Sequence, residues 1–355
     1  MADTITSEEL AEGVTLHHLV RNAGPQRAHV LDIDLTRCVS MRALKGGTTA
    51  VGRQTTSALL QAVPADARVI AAVNADFFLF TPPGVPVGAL VSDGAVIAGP
   101  VDRPVLAFDA ANRPYLGTMM AATGITGSRG VVMATSWNRP QAGAAGIVDA
   151  RWAQPLDTLV RATARLLVAL PATATGTRYR VTPIPVAHSG QVAGDTLVLV
   201  GRGTATLPDG DTVTLQRVWV PMTPQVAVGG FPMLLRDSTI VSSVETDGAV
   251  SFRGVNPRTV AGITRDRRHL LLVVIDGRQP AYSVGTTTRE TADLLLALGA
   301  VEALNLDGGG STAMVVRDAV TGTTRLVNRP SDAAGERPVG DALAVTGRCG
   351  VARTR

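Results

Sequence analysis

Between His269 and Gly310 the sequence leaves few choices of local structure. "HLLLVVIDGR" (269–278) is an unbroken apolar run that ends in Asp276, Gly277 and Arg278, and it reads as a strand. "TTRETADLLLALG" (287–299) reads as a helix with its own punctuation. Thr287 and Glu290 have the spacing of a capping box, Leu294, Leu295 and Leu298 form an apolar face, and Gly299 stands where a helix stops. "VEALNLDGGG" (301–310) then reads as a second strand ending at Asp307. Strand, helix, strand is most simply a right-handed parallel crossover, which puts Asp276 and Asp307 on one edge of a sheet, where ligand sites of such sheets lie.

"RVIAAVNADFFLF" (68–80) has an apolar run through Val73 followed by Asn74 and Asp76, so a third strand end could join the same rim. The three glycines after Asp307 exceed what a hairpin turn needs, since Asp-Gly or Gly-Gly is enough. A generous turn is one reading; a loop whose backbone N–H groups approach an anion or sugar is the better one. No Lys and no helix signal follow, so this is not a Walker A loop.

Elsewhere, "VTLHHLV" (14–20) and "AHVLDIDL" (28–35) read as strands, and "TTSALLQAV" (55–63) as a short helix stopped by Pro64. From about Thr118 to Gln225 the chain is rich in Thr, Ala, Pro and Gly; its short Val runs, with a hairpin signal at "LPDGDTVTL" (207–215), suggest β structure without a catalytic constellation. With 355 residues, 45% of them hydrophobic, the chain can bury a sizeable core. The expected fold class is α+β: a mixed β-sheet with flanking helices and a β-rich insertion at 118–225.

The formal charge of +4 is scattered, only 3% of residues are aromatic, and no concentrated basic face with stacking rings can be drawn, so nucleic acid is not an expected partner. No apolar run reaches the roughly 18 residues of a membrane span. The polar, acidic start "MADTITSEELAEGV" has no signal-peptide core; cytosolic and trimmed, secreted forms both fit. Cys38 and Cys349 could bridge, closing a loop of roughly 300 residues worth at most about 5 kcal/mol, or remain two buried thiols. The histidines (His17, His18, His29, His188, His269) show no metal-ligand spacing, and no "GxSxG" nucleophile signature occurs.

Two more stretches carry candidate residues. In "GVNPRTVAGIT" (254–264) a proline fixes the backbone before Arg258, and "GERPVGDALAV" (335–345) places Glu336 and Arg337 before a final strand. "NADFF", "NPRTVAGIT", "DGR", the helix with its Glu, "NLDGGGST" and "ERPVGDALAV", in this order, resemble the phosphodiester glycosidase family over roughly 68–345, with 118–225 poorly matched.

The resemblance implies one catalytic domain over 1–355 that hydrolyses the glycosidic C–O bond of a sugar phosphodiester, with a small-molecule or glycan substrate similar to an N-acetylglucosamine-1-phosphodiester. It implicates Asp307, Asp276, Arg258 and Glu290 as catalytic. Asn74, Asp76, Thr259, Arg278, Gly308, Gly309, Gly310, Ser311 and Arg337 would bind substrate. It favours a secreted or envelope protein and the Cys38–Cys349 bridge.

A phosphomonoester leaves as an anion, so positive charge and backbone donors matter more than a general acid, which suits the arginines and the glycine amides. The oxocarbenium-like carbon needs a carboxylate, Asp307 or Asp276. No cofactor is certain from the sequence; clustered carboxylates with Asn74 and loop carbonyls could hold Ca²⁺ or Mg²⁺. The rivals are a metal-dependent phosphodiesterase acting at P–O and a non-catalytic glycan- or envelope-binding module.

Overall fold

The computed structural model describes residues 3–348 except 48, 100–101, 153, 156–158, 160–163, 173–176, 185–189 and 247. Cys349 and His188 lie outside the described residues, and with Cys349 the expected Cys38–Cys349 bridge.

The fold is mainly β, and its strand pairs are almost all antiparallel. One sheet of eight strands runs Thr4–Ala11, Val14–Arg21, Gln26–Asp34, His269–Ile275, Arg258–Thr264, Ala300–Asn305, Met233–Arg236 and Thr239–Ile240. A sheet of five strands runs Thr324–Leu326, Met314–Arg317, Val69–Asn74, Asp341–Gly347 and Val39–Lys45. A second sheet of five runs Ala95–Ala98, Leu90–Ser92, Val226–Gly229, Pro104–Phe108 and Pro114–Thr118. Between Met120 and Val220 seven strands close into a barrel.

The three open sheets enclose one core, to which they contribute Leu272, Val73 and Leu106 respectively. The apolar run at 269–275 now has its reason. Leu270, Leu272 and Val274 face that shared core, while Leu271, Val273 and Ile275 pack on the opposite side against Leu295 and Ala292 of the helix Thr288–Ala297. A strand covered on both faces has no position left for a polar residue. Each such side chain contributes about 1.5–3 kcal/mol by leaving water.

The α+β expectation is overturned: the fold is mainly β, built from several sheets and a barrel. Among the described residues α-helix is confined to Thr56–Gln61, Val250–Arg253 and Thr288–Ala297. The expectation failed because it treated His269–Ile275 and Ala300–Asn305 as neighbours in a crossover. Both strands pair antiparallel with Arg258–Thr264, which lies between them, so they run parallel without touching as partners. The "LPDGDTVTL" turn likewise joins strands that are not partners: Thr212–Val220 pairs with Met120–Gly127 and Arg178–Pro183. Turn chemistry reverses a chain, but pairing is decided by which strands complete the barrel. Among the described residues no helix is long and apolar enough to cross a membrane.

Candidate active site

The inserted strand sets the geometry of the rim. Because Arg258–Thr264 is antiparallel to both neighbours, its first residue stands at the edge where they end: Arg258 lies opposite Ile275, and Val260 opposite Asn305. From Asn305 the chain leaves the eight-stranded sheet and crosses to Met314–Arg317 of the five-stranded one. Backbone bonds hold the crossing on both sides: Leu306 N–H donates to Thr259 O at 2.8 Å, and Asp307 N–H to Ala75 O at 2.8 Å.

Asn74 ties the two sheets together at that point. Its Oδ1 accepts from Thr259 Oγ1 at 2.6 Å and from Ala313 N–H at 3.0 Å, while its Nδ2 donates to the Asp307 carbonyl at 2.6 Å. The side chain is fully buried and so are Thr259 and Ser311. Asn74 therefore positions the loop and spends its polar atoms within the chain.

The three glycines are required for three different reasons. A Cβ at Gly308 would stand 2.8 Å from the Pro257 carbonyl oxygen, and Gly309 N–H donates to that same carbonyl at 3.0 Å. Gly309 has φ +62° and carries the Arg278 guanidinium close over it. A Cβ at Gly310 would run into the side chains of Arg337 and Asp332. The loop is thus a 3₁₀ turn (Gly309–Ser311) pressed between a proline carbonyl and two guanidinium groups.

Asp307 stands beside this turn, partly exposed. Burial pushes its carboxyl up to about 6, against the pull of Ser311, Arg337 and the Gly308 N–H. Arg337 is held by Asp332, with Nε and Nη2 both 2.8 Å from Oδ2. Arg278 is exposed, at φ +60°, with Nε and Nη2 on Asn256 Oδ1.

Arg258 is 2% exposed and largely committed to the chain: Nε donates to Thr286 O, and Nη2 to the carbonyls of Phe252 and Gly254. Burial, with Arg278 nearby, lowers it to about 10. The same residues form a ring wall. Phe252 packs against Phe77 and Phe231 at centroid distances of 5.8 and 6.4 Å, with Arg258 5.5 Å from the Phe252 ring. All three rings are half-buried.

Asp76 belongs to a pair of carboxylates behind the rim. Its backbone N–H donates to Asp341 Oδ1 at 2.8 Å, and its Oδ2 accepts from Gly88 N–H at 2.5 Å. Asp76 Oδ1 and Asp341 Oδ2 are buried and unpartnered among the described residues. Burial raises both carboxyls, Asp76 to about 7, and each also feels the other acids of the cluster, Asp307 included. Such a pair holds a proton near neutrality.

Asp276 lies at the same edge but is differently employed. It is 1% exposed, and its oxygens accept from Tyr282 Oη at 3.2 Å, Asn328 Nδ2 at 3.1 Å and Arg329 N–H at 3.0 Å, with His29 Nε2 at 3.2 Å. Asn328 also bonds the backbone of Thr312 and Met314, so Asp276 braces the strand that follows the glycine turn. Glu290 is exposed and closes the capping box with Thr287, beside a separate hollow of about 300 Å³ lined by Leu19, Ala28 and Leu294. Glu336 accepts from Ser57 N–H at the start of the helix Thr56–Gln61. Among the described residues no three His, Cys, Asp or Glu side chains take a metal-holding arrangement.

Sequence reasoning missed Asp341, Asn256, Asn328, Asp332 and the three phenylalanines. Asp341, Asn256 and Phe77 stand inside motifs already singled out; the signal was a polar or aromatic residue beside each named one.

The rim thus brings together a glycine turn, a carboxylate and two guanidinium groups. Residues 184–346, which include Arg258, Asp276, Asp307 and Arg337, match the model of the phosphodiester glycosidase family.

Among solved structures, the fold resembles a hypothetical protein from Synechocystis (TM-score 0.76, 22% identity, covering 97% of this chain and 64% of that one). It also resembles a candidate exported protein from Burkholderia pseudomallei (0.68, 27%, 91% and 74%). A third neighbour is the zebrafish N-acetylglucosamine-1-phosphodiester alpha-N-acetylglucosaminidase catalytic domain auto-inhibited by its pro-peptide (0.50, 14%, 97% and 88%), a likeness of fold. No curated protein matches the sequence.

Proposed function

We propose that this protein hydrolyses the anomeric C–O bond of a sugar 1-phosphodiester, releasing free sugar and a phosphomonoester, with Asp307 as the reacting carboxylate. The observation that carries the reading is the Asp307 carboxyl, raised to about 6 and lying between the glycine turn and Arg337. At neutral pH it is mostly ionised yet still basic enough to take a proton from water or to stabilise positive charge on the anomeric carbon.

Arg278 and Arg337, each standing over a glycine, supply the charge that a departing phosphate requires, and Arg258 shapes the loop that carries Asn256. The half-buried faces of Phe77, Phe231 and Phe252 suit the apolar face of a sugar ring. Asp276 and Asn74 act as positioning residues. The substrate we favour is an N-acetylglucosamine-1-phosphodiester, the substrate in the zebrafish neighbour's name, and the Burkholderia neighbour's description favours an exported protein.

The test is product analysis by ³¹P and ¹H NMR on that diester in ¹⁸O-enriched water. Free sugar carrying the label, lost in Asp307→Asn, is the expected result. Label in the phosphate would overturn it in favour of P–O cleavage, and binding without turnover would leave a glycan-binding module.

A further inference from the structure

The barrel between Met120 and Val220 is only partly filled. Ile125, Val132, Ile147, Leu167 and Val213 pack its interior. Beyond them Trp137, Tyr179, Leu197 and Leu215 stay partly open and line a cavity of about 600 Å³, a size ordinary for small-molecule sites.

A charge stands inside it. Along Thr212–Val220 burial alternates, with Thr214, Gln216, Val218 and Val220 outward, which turns Arg217 inward with Val213 and Leu215. An arginine at an inward register of a small barrel is unfavourable unless something compensates it. The nearest carboxylate, Asp149, attracts it but makes no ion pair with it. Asp149 is already occupied: Oδ2 accepts from Trp137 Nε1 and Arg151 Nη1, and Oδ1 from Asn138 Nδ2 and Arg151 N–H, all at 2.8 Å. Its charge is balanced by Arg151 in an ion pair.

Arg217 keeps a long contact to Thr123 Oγ1 at 3.4 Å and stacks 4.0 Å over the Trp137 ring, and among the described residues it has no ion-pair partner. Among the described residues the cavity lining therefore carries a net positive charge, Arg151 and Arg217 against Asp149, beside an aromatic and aliphatic floor.

We infer that the barrel is a second binding site, for a small organic anion whose carboxylate or phosphate sits on Arg217 and whose body lies on Tyr179, Leu197 and Leu215. The Trp137 ring, 4.0 Å from the guanidinium, restrains it, and the Trp137–Asp149 bond holds the ring, so the anion receptor is preorganised. This site is independent of the chemistry at Asp307: none of its lining residues belongs to the rim.

All three tryptophans of the chain (Trp137, Trp152 and Trp219) belong to the barrel segment, so intrinsic fluorescence reports this cavity rather than the Asp307 rim. Titration of the full chain with glucose 1-phosphate, glucuronate and benzoate, beside neutral glucose, should give a saturable change with at least one anion and none with glucose. Arg217→Gln should weaken that binding by about tenfold to a hundredfold, the usual effect of removing a charge-assisted contact, and Asp307→Asn should leave it as it was. Which anion binds best identifies the body as sugar or aromatic. Absence of a saturable response to all three at millimolar concentration, or equal binding of glucose, would overturn the site without any variant, and so would unchanged affinity in a folded Arg217→Gln protein.

Discussion

Thr259 Oγ1 donates a 2.6 Å hydrogen bond to Asn74 Oδ1 across 185 residues of sequence, linking the eight-stranded sheet to the five-stranded sheet at the residue whose amide also holds the Asp307 carbonyl. Since Asn74 also holds the Asp307 carbonyl and the Ala313 N–H, its amide fixes both ends of the glycine turn. Asn74→Ala removes three hydrogen bonds from a site closed to water. It should destabilise the fold by about 2–4 kcal/mol, read by urea denaturation. Asn74→Asp keeps the two acceptor contacts but loses the donor to Asp307, so it should retain more stability than Ala while still losing turnover.

Asp307 should govern the pH profile. With its folded-state value at about 6, activity that depends on the ionised form rises as pH passes through that region and levels off above it. Asp307→Asn should lower kcat by about 10²–10⁴-fold and flatten this limb. A rate that instead falls above pH 6 would make Asp307 the acid and refute its assignment as base or nucleophile.

The glycines should fail differently when given a methyl group. At Gly308 the obstacle is the Pro257 carbonyl, a backbone atom that cannot swing away, so Gly308→Ala should lower stability by about 1–3 kcal/mol, seen as a lower Tm. At Gly310 the obstacle is the Arg337–Asp332 pair, whose side chains can move. Gly310→Ala should therefore keep most of its stability and lose activity through displacement of Arg337, with kcat/KM as the readout.

The Asp76–Asp341 pair should make the protein less stable as pH rises. Both carboxyls are raised in the folded state by burial, so between an unfolded value near 4 and the folded value of about 7 for Asp76 the folded chain binds more protons than the unfolded one. Stability from this source is present in full below about pH 4 and is lost as pH rises through 7. Asp76→Asn removes the buried charge while keeping an oxygen for Gly88 N–H. It should raise stability at pH 8 by about 1–3 kcal/mol, and denaturation curves at pH 5 and 8 check the sign. A variant less stable than the parent at pH 8 would show that the pair is paired with a cation in solution.

Much of the site was legible because its residues sit where local patterns end. The capping box of Thr287 and Glu290 formed as read, since the bonds that define it span three residues. The run at 269–275 is a strand, and the turn after Asp307 needs its glycines. What each glycine avoids was not legible: Pro257, Arg278 and Arg337 reach the turn from three separate stretches. The role of Asp276 was obscured in the same way, because His29, Tyr282 and Asn328 come to it from elsewhere.

By itself the sequence determined the strand at 269–275, the capped start of the helix Thr288–Ala297 and the clustering of polar residues at strand ends, since these follow from hydrogen bonding and apolar periodicity within a few residues. Tertiary structure alone decided that Arg258–Thr264 lies between two strands that read as neighbours, that Asp76, Asp307 and Asp341 converge behind one rim, and that a barrel encloses Arg217. Pairing partners and burial arise from contacts between distant segments, and only when those segments meet does a carboxylate or guanidinium lose its water and acquire its charge state.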